Sequence, residues 1–218
     1  MSIKPIYATN ILVKQLDISD EDLTTVENFL KAEYMSFMTS DEKDQKEYPN
    51  GNEGLVKLQE YLKDCPEFNI VYKQVEQAFL ELAYSNIETH KETNTEKAVL
   101  EFIIESTKIN WMKTGGRLGI HTHYGDDAYA VFYFEDVPER EGGSLILHDP
   151  RWSRNYMFGG AELIRIQPKR GQLVIAPSYI WHEVELYTGQ EDRFAFVFNG
   201  TVQNAYDYVR VRKTPHTY

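Results

Sequence analysis

The chain has 218 residues with 34 acidic and 23 basic side chains, a formal net charge of -11. That length suits a single domain with room for a packed core, and the negative field disfavours nucleic acid and anionic lipid as partners. The lone cysteine, Cys65, excludes an internal disulfide framework and any multi-thiolate metal site. Residues 1–5 (MSIKP) lack the apolar run of a signal peptide and no stretch is long and apolar enough to span a bilayer, so the expected setting is the cytoplasm, away from membranes.

In chain order, residues 3–15 alternate and carry β-branched side chains, which predicts an opening strand with Pro5 near its edge. Ser19 followed by three acids reads as a helix N-cap, and Leu23, Val26, Phe29, Leu30 and Tyr34 continue at helical spacing. The polar stretch 39–53 ends in a Pro-Asn-Gly turn and reads as an exposed loop. A second helix is expected over 53–63, with Leu55, Leu58 and Leu62 on one face. A third is expected over about 67–88, carrying Val71, Val75, Phe79, Leu82 and Ala83.

Past residue 98 the pattern changes to short β runs between turns. Strands are expected near 98–104, 107–113, 128–134, 143–148, 162–167, 172–176, 181–187 and 193–199, with a further short segment at 117–123. This is the pattern of a mostly β protein with flanking helices: a double-stranded β-helix, or jelly roll of the cupin-like kind, packed by N-terminal helices. Residues 1–97 would form the helical layer with its opening strand and 98–218 the core, both in one domain. The tract 149–160 holds Trp152, Tyr156 and paired glycines and reads as a candidate lid. Five basic residues between 151 and 170 (Arg151, Arg154, Arg165, Lys169 and Arg170) form a local exception to the acidic balance.

Three of the six histidines stand out. His121 and His123 are alternate residues, so on a strand they share a face, and His182 opens a later strand just after a turn. Three imidazoles converging from separate strands would leave open positions on an iron-sized ion. Arg193 follows across the turn 188–191, so it is expected on the strand next to that of His182, where a guanidinium can hold a carboxylate by two hydrogen bonds. Arg193, Ala195 and Val197 share one face of that strand, while Phe194, Phe196 and Phe198 share the other, which suits a wet pocket backed by an aromatic core. Tyr133 and Asn110 are placed to contribute a hydroxyl and an amide to the same pocket. His148 reads as structural or substrate-lining, and His90 and His216 lie in polar segments.

The segment 110–134 (NWMKTGGRLGIHTHYGDDAYAVFYF) resembles the metal-binding half of the 2-oxoglutarate/Fe(II) oxygenases of the phage and bacterial, prolyl-hydroxylase-related type. The segment 166–199 (IQPKRGQLVIAPSYIWHEVELYTGQEDRFAFVFN) resembles the other half, and the Gly-Gly-Ser and Asp-Pro-Arg stretches between them resemble that family too. The resemblance implies a jelly-roll core, a mononuclear Fe(II), and oxidative decarboxylation of 2-oxoglutarate to succinate coupled to hydroxylation of a second substrate. That substrate is a small molecule or a protein side chain, and oligomeric state is left open. Carried over by position, His121 and His182 would be iron ligands and Arg193 would bind the distal carboxylate of 2-oxoglutarate. The chain departs from the usual His-x-Asp or His-x-Glu pattern by having His-x-His. Either His123 takes the carboxylate's place or Asp126 or Asp127 supplies it. The spacing from Gly115 through His121 and His123 to Asp127 also resembles the first motif of cupins, in which Asp127 would be a ligand; Tyr179 stands where their second motif expects glycine.

Overall fold

A computed structural model of the chain describes residues 9–40, 51–89, 100–150 and 163–204, of which 51–56, 86–89 and 204 are described in backbone only. Nine strands and three α-helices follow in the order β1 (Leu12–Gln15), α1 (Asp20–Met38), α2 (Gly51–Asp64), α3 (Pro66–Thr89), β2 (Leu100–Met112), β3 (Leu118–His121), β4 (Ala128–Tyr133), β5 (Leu145–His148), β6 (Leu163–Ile166), β7 (Gln172–Pro177), β8 (His182–Val184) and β9 (Arg193–Asn204). The strands pair antiparallel into a five-stranded sheet, β1-β7-β4-β9-β2, and a four-stranded sheet, β3-β8-β5-β6. This is the jelly roll expected, with helices on one outer face.

The helices form where cap and period agree. The Ser19 hydroxyl accepts the Asp22 amide hydrogen at 3.1 Å, satisfying a free donor of the first turn of α1. Pro66 cannot continue the hydrogen bonding of α2 but fits the first turn of α3, so the two helices meet almost without a loop. Leu23, Val26 and Leu30 of α1, Leu58 and Tyr61 of α2, and Phe68, Val71, Val75 and Phe79 of α3 join one buried cluster with the helix-facing side of the large sheet. Phe68 meets Phe196 edge-on at 5.5 Å, and Phe79 stacks on Phe102 at 3.8 Å. The inward faces form a second cluster, with Tyr129, Val131, Tyr133, Ala195 and Val197 from the large sheet against Leu145, Leu147 and Ile166 from the small one.

Charge stitches α1 to this core. Arg170 donates to Glu27 at 2.9 Å and to the Phe134 carbonyl, while Lys31 bridges Glu27 at 2.6 Å and Glu135 at 3.0 Å. Arg165 pairs with Glu185. Of the basic cluster read in the sequence, therefore, Arg165 and Arg170 are ion-paired, and 151–162, which holds Arg151, Arg154 and most of the candidate lid, lies outside the described residues. His90, His216 and the part of the opening strand before residue 9 also lie outside them. No described helix is long and apolar enough to cross a membrane.

Four strand expectations need correction. The runs 98–104 and 107–113 are not two strands: within the described residues they are one, β2, interrupted by a bulge at Glu105. No Gly, Pro or Asn separates them, so the chain bulges instead of turning. β9 reaches Asn204, beyond 199, because the part of β2 before the bulge continues to pair with it. The strand opened by His182 is only three residues long. Finally, Arg193 is not on the strand beside His182: β8 pairs with β3 and β5, β9 pairs with β2 and β4, and the two residues face each other from opposite sheets.

Phe68 is fully buried between the helices and the phenylalanines of β9. Phe68→Ala is expected to cost about 3–5 kcal/mol, the usual range for emptying an aromatic site, read as a lower urea midpoint at unchanged slope.

Candidate metal centre

β3 and β8 run side by side with His121 opposite His182, so the two imidazoles project from neighbouring strands into the space between the sheets. His123 lies just beyond the end of β3, not on it. Its amide nonetheless donates to the Ser178 carbonyl at 3.1 Å, which keeps the segment extended and returns the ring to the same side. The ligating atoms available on the three rings lie within 4.8 Å of one another, and the Nε2 atoms of His123 and His182 are 3.1 Å apart. Two nitrogens each about 2.1 Å from an ion, at a right angle, stand about 3.0 Å apart, so this spacing fits a shared cation.

The hydrogen-bond partners identify the tautomers. His121 Nδ1 lies 2.8 Å from the Gly119 carbonyl, His182 Nδ1 lies 3.0 Å from the Ile180 carbonyl, and His123 Nδ1 lies 2.5 Å from Asn199 Oδ1. Each partner can only accept, so each Nδ1 carries the hydrogen and each Nε2 presents a lone pair. Burial pushes the His182 imidazole down to about 3 and the His123 imidazole down to about 4, so both remain neutral donors at physiological pH. The Tyr129 ring stacks on His123 at 4.5 Å and on His182 at 4.2 Å, which restrains both rings.

The three histidines border a cavity of about 270 Å³ between the sheets, closed on its apolar sides by Leu118, Val131, Leu145, Val184 and Val197. At its other end is Arg193, 1% exposed. Its Nε donates to the Gly143 carbonyl at 2.8 Å and its guanidinium carbon lies 5.4 Å from the centre of the Tyr133 ring. Gly143 has φ +70°, and a Cβ there would come within 3.1 Å of Arg193 Cδ, so glycine is required on two counts. Arg193 pairs with no carboxylate among the described residues. Asp192 instead engages Lys113 and the Trp111 indole, both at 2.7 Å, and Glu135 holds Lys31 and the Phe194 amide. Arg193 Nη2, the Tyr133 hydroxyl and Asn110 Oδ1 are all buried without a hydrogen-bond partner, and all three residues line the cavity. Burial raises the Tyr133 phenol and lowers Arg193. Leaving such groups unpaired is costly unless a ligand completes them, and two of them, Arg193 Nη2 and the Tyr133 hydroxyl, can donate to an anion.

The structure thus brings together all six residues singled out from the sequence, His121, His123, His182, Arg193, Tyr133 and Asn110. Asp126 and Asp127 stay outside the cluster. Asp127 accepts the Val202 amide hydrogen at 3.0 Å, tying the β4 entry to β9. Burial, with Glu105 and Asp127 nearby, pushes the Asp126 carboxyl up to about 6. His148 pairs with Glu183 at 3.1 Å. Three contributors were not singled out in the sequence. Tyr129 carried no local signal, Gly143 lay in the Gly-Gly-Ser stretch read only as part of the resemblance, and Asn199 is one further step along the Arg193–Ala195–Val197 alternation.

Residues 107–199 match the family model described as "Putative 2OG-Fe(II) oxygenase". Over that segment, less than half of the chain, the sequence is similar to the 2-oxoglutarate/Fe(II) oxygenases. Fe(II) and 2-oxoglutarate are the cofactors that this similarity implies, and the three-histidine cluster fits an iron site. Among solved structures, the chain is similar to a prolyl-4-hydroxylase from Pseudomonas putida (13% identity, 88% of this chain and 86% of that one, TM-score 0.53). It is similar also to a prolyl hydroxylase from Trichoplax adhaerens, solved with a hypoxia inducible factor oxygen degradation domain peptide fragment (12% identity, 88% and 83%, TM-score 0.53). These likenesses are of fold. Against an oxidoreductase of the 2OG-Fe(II) oxygenase family from Burkholderia pseudomallei (15% identity, TM-score 0.37) the match takes in 52% of this chain and about half of that one, 48%. No curated protein sequence matches the chain.

His182 is the most buried of the three imidazoles. His182→Ala is expected to abolish stoichiometric Fe(II) binding with the circular dichroism unchanged; iron retained at native affinity would refute the site. Because Asp127 is engaged with the Val202 backbone, Asp127→Asn is expected to cost far less Fe(II) affinity than His123→Ala. Equal losses in an anaerobic chelator competition would instead favour a cupin-type ligand set.

Proposed function

We propose that the protein is a 2-oxoglutarate- and Fe(II)-dependent hydroxylase, with His121, His123 and His182 holding the metal and Arg193, Tyr133 and Asn110 binding 2-oxoglutarate. The observation that carries this reading is the pairing, in one cavity, of three Nε2 lone pairs with a buried guanidinium that has no acidic partner among the described residues. A dicarboxylate can bridge the two, with one end on the metal and the other on Arg193.

When bound, Fe(II) supplies the activation of O2 that couples decarboxylation of 2-oxoglutarate to succinate with hydroxylation of the second substrate. The chain's own residues do the rest. The three rings, each fixed by an acceptor at Nδ1, would hold the metal through their Nε2 atoms. Arg193 and the Tyr133 hydroxyl would donate to the distal carboxylate, with Asn110 lining the same cavity. Val131, Leu145 and Val197 add apolar walls to the cavity, which lower its local dielectric and strengthen charge interactions there.

The substrate is a small molecule or a protein side chain; the peptide complex of the Trichoplax neighbour lends the second class some support. The acidic balance, with Arg165 and Arg170 already paired, weighs against nucleic acid. The free thiol of Cys65 agrees with a reducing, cytoplasmic setting. No observation favours the cupin alternative, because its fourth ligand, Asp127, is hydrogen-bonded elsewhere.

The test has two parts. Purified protein with Fe(II) and O2 is expected to form succinate from 2-oxoglutarate, and none at all would refute the reading. Arg193→Leu removes a charge-assisted contact on the order of 2–5 kcal/mol. It is therefore expected to weaken 2-oxoglutarate binding by at least roughly thirty-fold, followed by charge-transfer absorption, with Fe(II) affinity nearly unchanged. Superimposable titrations would take Arg193 out of the co-substrate site.

A further inference from the structure

The bulge in β2 has a consequence at the metal centre. Before it, Phe102 and Ile104 face the helices; after it, Ile109 does, so the parity of the strand reverses between them. The register passes from Ile104 opposite Gly200 to Ser106 opposite Asn199, leaving Glu105 as the extra residue. In an unbroken strand Ser106 would share the side of Phe102 and Ile104. In the structure its hydroxyl instead accepts Asn199 Nδ2–H at 2.8 Å, and Asn199 Oδ1 in turn accepts His123 Nδ1–H at 2.5 Å. Tyr129, opposite Asn199 on β4, stacks on the same imidazole.

We propose that Asn199 and Ser106 are positioning residues for His123, and that the bulge at Glu105 is what aims Ser106 at them. The proposal rests on His123 being a metal ligand. An imidazole that coordinates through Nε2 must carry its hydrogen on Nδ1, and when buried it needs an acceptor there. A carboxylate in the same position would need no such partner, so Asn199 answers a requirement peculiar to His-x-His. Because the acceptor is a neutral amide, His123 stays a neutral ligand. A carboxylate at 199 would make the ring a stronger donor.

The experiment measures Fe(II) affinity anaerobically by chelator competition, together with the charge-transfer absorption of the Fe(II)- and 2-oxoglutarate-loaded protein. Asn199→Leu is expected to weaken Fe(II) binding by about 10–100-fold. Ser106→Ala is expected to produce a smaller loss that Ser106→Thr restores. Asn199→Asp is expected to keep native affinity or better and to move the absorption to longer wavelength, since a more electron-rich iron yields an electron to the keto-acid at lower energy. The near-isosteric Asn199→Asp and Ser106→Ala variants decide the matter if Asn199→Leu does not fold. Native iron affinity in both Asn199→Leu and Ser106→Ala, or an unmoved absorption band in Asn199→Asp, would overturn the proposal. His123→Ala in the same titration separates it from the ligand assignment: if that variant loses iron while Asn199→Leu and Ser106→Ala keep it, only the positioning role falls.

Discussion

One strand, β9, must satisfy two environments that cannot be exchanged. Of its odd-numbered residues, Arg193, Val197 and Asn199 line the cavity and Ala195 joins the apolar cluster between the sheets, while Phe194, Phe196 and Phe198 fill the core beneath the helices. Because side chains alternate with a period of two, a slip of one residue would drive the guanidinium into aromatic packing and turn the phenylalanines toward the metal centre. The register is secured from both sides. β4 pairs with β9 from Ala128 to Tyr133, and the Glu135 carboxylate accepts the Phe194 amide hydrogen at 3.1 Å. At the other end Gly200 lies against Phe102, whose ring would come within 2.4 Å of any Cβ there. Aromatic packing by α2 and α3 thus positions a polar site that neither helix touches.

The same register explains a charge without a partner. Acids close to Arg193 in sequence or space are drawn elsewhere: Asp192 to Lys113 and Trp111, Glu135 to Lys31 and Phe194. An isolated buried cation is expensive, and its neighbours Tyr133 and Asn110 are unsatisfied as well. Gly143 adds a single carbonyl to Nε and permits the close approach. Among the described residues no carboxylate answers the guanidinium, an arrangement that makes sense when a ligand supplies it.

Much of this was legible from residue order. The helices followed from Ser19 and the 3.6-residue spacing of apolar side chains, and the two faces of 193–199 followed from alternation. His121, His123, His182 and Arg193 were prominent because few residue types bind metals or carboxylates. What escaped was whatever depends on a distant partner. The bulge at Glu105 shows in the sequence only as a change in parity from Phe102 and Ile104 to Ile109, and its place in the register is read from the partner strand, where Ile104 pairs with Gly200 and Ser106 with Asn199. That His182 and Arg193 face each other across the cavity, and are not paired side by side, is a property of topology: the turn 188–191 looks like a hairpin turn but carries the chain from one sheet to the other. Tyr129 was invisible because a tyrosine in a strand is ordinarily core, and here it is core and also the plate against which two imidazoles rest.

With the proposed ligands, electrostatics join the two halves of the cavity. Three neutral imidazoles leave the full charge of a divalent metal uncompensated, one unit more than a two-histidine, one-carboxylate set would leave. Among the described residues the lining adds Lys108 and Arg193 and no acid. In a desolvated space that excess is felt across its whole length. A dianion is then stabilised at both ends, by the metal and by Arg193, and each ligand makes the site more favourable for the other. Such coupling is reciprocal by thermodynamic necessity: whatever the metal adds to 2-oxoglutarate binding, 2-oxoglutarate returns to metal binding. Replacing a carboxylate ligand by His123 therefore shifts part of the task of holding the metal onto the co-substrate, and makes the neutral, well-oriented state of that one ring matter more than it would in a site that carries its own negative charge.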